Sequence, residues 1–384
     1  MTNLYISQTD TEAPADGVLM PTFPADHSEY KYIYFKRGET HLVNIKAKPG
    51  KTYTAYGVGD APVLMAANTD IHVIEAIKAS FSTYEDIVLS GSNKRLFYAF
   101  GGHGYTFRNV GGVDSDFSDQ FLYFKACQNI MIEGCYNKNT NGDCVYFTAS
   151  SNVTVQNCNF ELPNGGAADA IQGSNEGKYS PNRNVKILNN TVYKGRYPNN
   201  YKGAIVLDGA DDFEVSGNDV EGVFFGIGVQ GRNGIVSNNI IRDVLLDTHR
   251  NSYGIGVSGL DCQNVQVDGN EVSGANRGIL VAWDGKTKWP VMDTIDITNN
   301  TIDNCKNGIV IEVPMKGTRS GNTFTNIEEE NTVLKNQRPV IFSIVYDGAG
   351  RSYETAIADQ KELTFYALEF MNKHVAGDAV IKKV

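Results

Sequence analysis

One short phrase returns along this chain: an aliphatic residue, two residues, Asn, one residue, then an apolar residue. It reads ILNNTV at Asn190, VSGNDV at Asn218, VSNNII at Asn239, VDGNEV at Asn270 and ITNNTI at Asn300. A last copy, RSGNTF at Asn322, has Arg in the aliphatic slot, and the spacings are 28, 21, 31, 30 and 22 residues. Two earlier copies carry Cys in the Asn slot, IEGCYN at Cys135 and VQNCNF at Cys158. A second phrase alternates with the first: DCVYFT, DAIQGS, GAIVLD, FGIGVQ, YGIGVS, RGILVA and NGIVIE. Aligning it stacks Val145, Ile171, Ile205, Ile227, Ile255, Ile279 and Ile309 in one column. Two residues on, Phe147, Leu207, Val229, Val257, Val281 and Ile311 form another, with Gly173 as the gap. A period of two puts both columns on one face of a strand. Such a register is explained if similar rungs lie on top of each other.

The shortest period suits three strands of about four residues with three turns. Leucine-rich repeats share the period but need a Leu-x-x-Leu-x-Leu phrase, which is absent. The pattern predicts an all-β right-handed parallel β-helix, a solenoid in which each rung contacts its neighbours. The Asn column becomes a turn ladder, because Asn bonds backbone groups and tolerates left-handed backbone. Cys135 and Cys158 read as small buried substitutes. We expect capping strands over 1–70, the solenoid over 71–325 and a C-terminal cap over 326–384. Within the cap, Leu363, Tyr366, Ala367 and Phe370 have helical spacing and Gly377 follows as a stop, predicting a helix over 354–377.

Composition narrows the function. Lys and Arg total 34 against 44 Asp and Glu, a net charge of −10, which speaks against nucleic acid or an anionic membrane as partner. Apolar residues at 41% exclude disorder. No apolar run reaches membrane-spanning length. The opening MTNLYISQTDTEAPADG lacks a basic n-region and an apolar h-region, so no Sec signal peptide is expected in this chain. The six cysteines lack metal-finger spacing and read as reduced, buried thiols.

These rungs resemble those of the pectate-lyase-like β-helix superfamily, over roughly 70–325. The segment YIYFKRGETHLVNIKAKPG is similar to the leading segments of such proteins. The superfamily contains polysaccharide lyases, uronan epimerases, polygalacturonase-type hydrolases and phage tailspike depolymerases. The resemblance implies a polysaccharide partner lying on the outer face of the second-phrase strand, and an extracellular or virion-associated setting. Tailspikes often trimerise, so a homotrimer is one expectation. The fold alone does not choose the chemistry.

Insertions mark where a solenoid works. The long rungs add LPNGG, EGKYSPN, KGRYPNNYK, LLDTHRNS and WDGKTKWPV on either side of that strand, predicting a walled groove. On its floor one outward column reads Tyr98, Tyr123, Tyr146, Gln172, Val206, Gly228 and Gly256. Tyrosines one rung apart, at about 4.8 Å, suit sugar stacking or proton donation, and equally suit bracing of the rungs or a subunit contact. The next outward column includes Lys125, Thr148, Ser174 and Asp208. At the strand entrance we place Asp143, Asp169, Lys202, Tyr253 and Arg277.

Two chemistries compete. Asp143, Asp169 and Asp208 serve hydrolysis if two carboxylates act together, or else cap turns. NTNGDCVYFTASSNVTVQNC looks like the DDC strand of polygalacturonase-type hydrolases, but Gly142 replaces the first Asp and no Gly-His-Gly or RIK phrase follows. β-Elimination needs a neutraliser for the uronate carboxylate, a base and an acid. Residues 177–202 hold Lys178, Arg183, Lys186, Lys194, Arg196 and Lys202 with no acid, a basic segment that coincides with the insertions. We assign Arg196, Arg250, Arg277 and Lys202 to carboxylate contact, His249 or Lys202 to the base, and Tyr146 or Tyr253 to the acid. His103, in GGHGYTF, is a second histidine, with glycine neighbours that suggest a turn. Trp283 and Trp289 suit sugar platforms at the groove edge, or packing of their loop. No cofactor is required. DSDFSD (Asp114, Asp116, Asp119) offers oxygens for Ca²⁺ or forms an acidic turn. The expected activity is cleavage of an acidic polysaccharide by β-elimination; hydrolysis, and glycan binding without cleavage by a phage tail or surface protein, are the alternatives.

Overall fold

The computed structural model describes residues 3–383 apart from 116–119, 164–167, 176–180, 194–202, 245–251, 260–261, 283–291, 314, 334–339, 347–351 and 358–378. The rung around Val145 shows the plan of the coil. Asp143–Thr148, Ser151–Gln156 and Asn159–Glu161 follow one another around a core, separated by tight turns. Each strand pairs in parallel with its equivalent on the next rung, giving three sheets. The sheet containing Asp143–Thr148 carries the outward columns described above, and we call it the floor sheet. It continues through Ile171–Ser174, the first halves of Gly203–Ser216 and Phe225–Ser237, Tyr253–Ser258, Arg277–Ala282 and Asn307–Ile311.

Its register is the one the sequence predicts. Val145, Ile171, Ile205, Ile227, Ile255, Ile279 and Ile309 stand opposite one another rung after rung. All are 0–2% exposed. Burial of such side chains supplies about 1.5–3 kcal/mol each, so the column is a continuous apolar spine. Gly173 has a packing reason. A Cβ there would stand 2.7 Å from the Phe147 ring and 2.9 Å from Leu207. The larger neighbours fill the space that the missing side chain leaves.

The Asn ladder closes the turn between the second and third sheets. The Oδ1 of Asn218 accepts from the backbone N–H and the side-chain amide of Asn190, both at 3.0 Å. Asn239, Asn270, Asn300 and Asn322 repeat the pattern upward. The left-handed residue is not the ladder Asn but the one before it: Asn189, Gly217, Asn238, Gly269, Asn299 and Gly321 have φ between 53° and 69°. The paired letters NN and GN thus divide two tasks. The first residue makes the bend, and the second satisfies its backbone. Cys135 and Cys158 occupy the same slot lower down, buried as expected, with Gly134 and Asn157 as their left-handed partners.

The parallel pairing also runs into the first residues. Leu4 pairs with Ile33, Ile33 with Tyr53, and Tyr53 with Tyr84. The spine continues below Val145 through Leu122, Phe97 and Ile74, and on the neighbouring face aromatic rings fill the core: Tyr53 stacks on Tyr84 at 5.2 Å and Tyr84 on Phe107 at 4.8 Å. At the other end Glu329–Val333 still pairs in parallel with Asn307–Ile311. Beyond it Val340–Tyr346 pairs antiparallel with Ser352–Ile357 and Ala379–Lys383. The helix expected over 354–377 is therefore corrected at its start. Tyr353, Thr355 and Ile357 alternate as strand residues do, and 352–357 is a strand. Leu363, Tyr366, Ala367 and Phe370 lie outside the described residues.

Candidate functional site

The floor sheet orders its outward side chains by register. Two residues before the spine residue, at the strand entrance, stand Gln120, Asp143, Asp169, Gly203, Phe225, Tyr253, Arg277 and Asn307. This corrects one assignment. Ile171 pairs with Ile205, so Gly203 rather than Lys202 shares the slot of Asp169. Lys202 itself lies outside the described residues, as do Arg196, His249, Arg250, Trp283 and Trp289. So do Asp116 and Asp119, and nothing is described of the Asp114 side chain. Among the described residues no three His, Cys, Asp or Glu side chains gather as metal ligands.

The entrance carboxylates brace the stack. Asp143 Oδ1 accepts the backbone N–H of Asp169 at 2.7 Å, and Asp169 Oδ1 accepts that of Gly203 at 2.7 Å. Each carboxylate therefore meets the backbone of the next rung, and Asp143 is only 5% exposed. Asp169 stays half-buried at the groove. Asp208 lies at the other end of its strand, opposite Gln230. Five residues along the strand at about 3.3 Å each, plus one rung, separate Asp169 from Asp208 by about 17 Å between Cα atoms.

Tyr253 is the side chain that reaches across the floor. A Cβ on Gly256 would stand 2.6 Å from its ring, and one on Gly228 would stand 2.8 Å from its hydroxyl. Two adjacent rungs thus lack side chains where the phenol lies. Phe225 packs on the ring at 4.8 Å, and Leu280, Ala282 and Val310 form the apolar surface beside it. Burial pushes the hydroxyl pKa up, and the charges of Asp169 and Asp208 push it further. The group is a phenol, a proton donor, throughout the physiological range. Its neighbour Arg277 is held by Glu312, with Nη2 3.2 Å from Oε1.

Lower on the floor the tyrosines form a ladder. Tyr98 and Tyr123 lie 5.4 Å apart, and Tyr123 and Tyr146 stack at 4.9 Å with planes 5° apart. Ring faces turned to each other brace neighbouring rungs, so the strip presents ring edges. His72 extends it, stacked on Tyr98 at 4.9 Å. Gln172 follows Tyr146 on the next rung. Arg95 lies over Tyr123, its guanidinium carbon 4.1 Å from the ring centre. Sequence reasoning missed Arg95, His72 and Phe225, although each stands two residues before a spine residue, the slot already singled out from Asp143 onward. His103 is exposed outside the floor, with Nδ1 3.3 Å from Ser80 Oγ and its ring against Phe81 at 4.5 Å.

The catalytic domain of a GH87 α-1,3-glucanase in complex with nigerose is similar in fold, with a TM-score of 0.57 and 17% identity. The match covers 79% of this chain and 62% of that one, so the chain spans about three fifths of the glucanase domain. PfbA, a surface adhesin of Streptococcus pneumoniae, has a TM-score of 0.52 at 15% identity, over 85% of this chain and 92% of that one. A polygalacturonase from Erwinia carotovora has a TM-score of 0.49 at 12% identity, covering 86% and 96%. At these identities the likeness is one of fold. No curated protein matches in sequence. The family model for the right-handed β-helix region matches residues 121–289 and 178–350, together more than half of the chain. With its parallel rungs and three-sheet coil, the chain belongs to the right-handed β-helix family.

Proposed function

We propose that this protein is a polysaccharide-cleaving enzyme that works by β-elimination on a uronic-acid polymer lying along the floor sheet, with Tyr253 as the acid. The observation that carries this reading is the Tyr253 phenol over Gly228 and Gly256. It is kept protonated by burial and by two carboxylates. Elimination needs a proton for the leaving glycosidic oxygen, and a half-buried phenol at the groove can supply it. The base that removes the C5 proton would come from His249 or Lys202. Arg196 and Arg250 would neutralise the uronate carboxylate. Arg277, already paired with Glu312, would shape the groove.

Elimination is preferred to hydrolysis because the adjacent carboxylates serve the stack: Asp143 is buried and bonded to the Asp169 N–H, and Asp169 turns an oxygen to the Gly203 N–H. The name of one similar structure, an α-1,3-glucanase in complex with nigerose, fits a saccharide substrate. The adhesin among them fits glycan binding without cleavage.

Incubation with polygalacturonate, alginate and hyaluronate separates these outcomes. Ultraviolet absorbance from an unsaturated uronate supports elimination. New reducing ends without it mean hydrolysis, and affinity without either means a binding protein. Tyr253→Phe should lower kcat by about 10²-fold or more while leaving the far-UV spectrum unchanged. Full activity in that variant removes Tyr253 as the acid.

A further inference from the structure

We infer that Arg95 forms an anion-reading subsite in the groove, taking the carboxylate of a uronate residue about six rungs from the proposed cleavage point. The inference rests on the cleavage reading for its substrate class, but its chemistry stands on Arg95 itself. The guanidinium lies over two rings of the tyrosine ladder, 4.1 Å from the centre of Tyr123 and 5.3 Å from that of Tyr98. Its Nε donates to Gln120 Oε1 at 2.8 Å. Gln120 in turn reaches Asp143 Oδ2 at 3.5 Å. The two rings pack against the guanidinium and the Gln120 bond limits its rotation. The two Nη groups remain as a preoriented pair of donors, the geometry that binds a carboxylate through both oxygens.

The surroundings favour an anion coming from outside. Among the described residues no carboxylate forms an ion pair with Arg95. Glu75, on the rung below, is bonded to Lys46. His72 closes the ladder below, its ring on Tyr98 and its Nδ1 3.3 Å from the Arg95 carbonyl oxygen. Arg95 shares the entrance column with Asp169, three rungs below it. Tyr253 stands three rungs above Asp169, so six rungs at about 4.8 Å each, roughly 29 Å, separate Arg95 from Tyr253, a span that a polymer of several residues covers. A residue that only braced the tyrosines would need neither the oriented fork nor a location on the groove floor.

The test uses the full chain and measured binding of tetragalacturonate, tetraguluronate and a hyaluronan tetrasaccharide, with maltotetraose as the neutral control and a sulfated glucan oligosaccharide as a second anion. The expected result is that at least one uronate binds more tightly than maltotetraose and the sulfated glucan. Arg95→Gln should weaken it tenfold or more with an unchanged thermal midpoint. Arg95→Lys should recover part of the loss, since it keeps the charge but not the fork. Absence of uronate binding, equal binding of the sulfated glucan, or an Arg95→Gln affinity within twofold of wild type each overturns the subsite. The two readings fail separately. Arg95-dependent uronate binding without cleavage leaves the subsite standing and removes the lyase. Uronan cleavage with an unchanged KM in Arg95→Gln removes the subsite alone.

Discussion

Asn239→Ala tests whether the turn ladder, rather than the apolar spine alone, holds the rungs in register. Asn239 is fully buried, and its amide donates to the Val215 carbonyl at 2.9 Å and to Asn270 Oδ1 at 2.9 Å. Its oxygen accepts from the Asn218 N–H at 3.0 Å and from the Asn218 amide at 2.9 Å. Truncation leaves some of these partners supplied. The Asn218 amide still reaches the Ile187 carbonyl, and Asn270 Oδ1 still accepts the Asn239 backbone N–H. One group is orphaned, the Asn218 N–H, while the Val215 C=O stays in the ladder with the neighbouring rung. At about 1–3 kcal/mol for a buried unsatisfied group, the loss is about 2 kcal/mol. Asn322→Ala is the control, because Asn322 ends the ladder and is only half-buried. Water can replace its amide, and the loss should be about 1 kcal/mol. Equilibrium unfolding in urea reads the difference as a shift in midpoint at constant slope. If the two variants unfold together, or if Asn239→Ala changes stability by less than about 0.5 kcal/mol, the ladder is decorative and the argument fails.

Three further outcomes are expected. Gly226→Ala should destabilise the rungs, because its Cβ would stand 2.2 Å from the Gly254 carbonyl oxygen; Gly228→Ala meets only the Tyr253 hydroxyl and should cut activity with little change in unfolding midpoint. Circular-dichroism melts of both variants, with their activities, check the contrast. Burial holds the His27 pKa down at about 4, so unfolding takes up a proton between the ordinary value of 6.5 and pH 4. Stability is then complete above pH 6.5 and declines by up to about 3 kcal/mol as pH falls to 4; His27→Gln should flatten the urea midpoint over that range. The six thiols are buried, with Cys127 pushed up to about 12 and Cys305 to about 11. Ellman's reagent at pH 8 should find them unreactive in the native protein and all six reactive in guanidinium.

The repeat made the stack legible because a rung's neighbours are set by period. Aligning Ile205, Ile227 and Ile255 by eye is the same operation as pairing them in the sheet. The Asn ladder was readable for that reason too, although its left-handed residue lies one position earlier than the conserved-looking letter. What the alignment could not show was the direction of a side chain that leaves its own rung. Tyr253 belongs by register to the entrance slot, yet its phenol lies over Gly228 on the rung below. Nor could it separate a carboxylate facing the groove from one bonded to the next backbone. Asp143 and Asp169 look alike in sequence, and both turn an oxygen to an N–H. The first rungs were hidden because aromatic residues such as Tyr53 and Tyr84 replace the aliphatic motif while keeping its stacking.

A solenoid gives this surface a division of labour along its axis. The lower floor is filled with rings that support one another, from His72 to Tyr146, and it is crossed by an oriented cation. The upper floor is emptied of side chains at Gly228 and Gly256, and a single phenol occupies the space. A stiff ladder suits holding a polymer, since its groups lose little freedom on binding. An uncluttered trough suits reaction, since a proton donor must approach the glycosidic oxygen without displacing neighbours. Both depend on the rungs keeping one register, because a slip of one residue would turn Tyr253 and Arg95 away from the same face. The Asn ladder is thus linked to function through register: a variant that loosens it should weaken saccharide binding before it unfolds the coil.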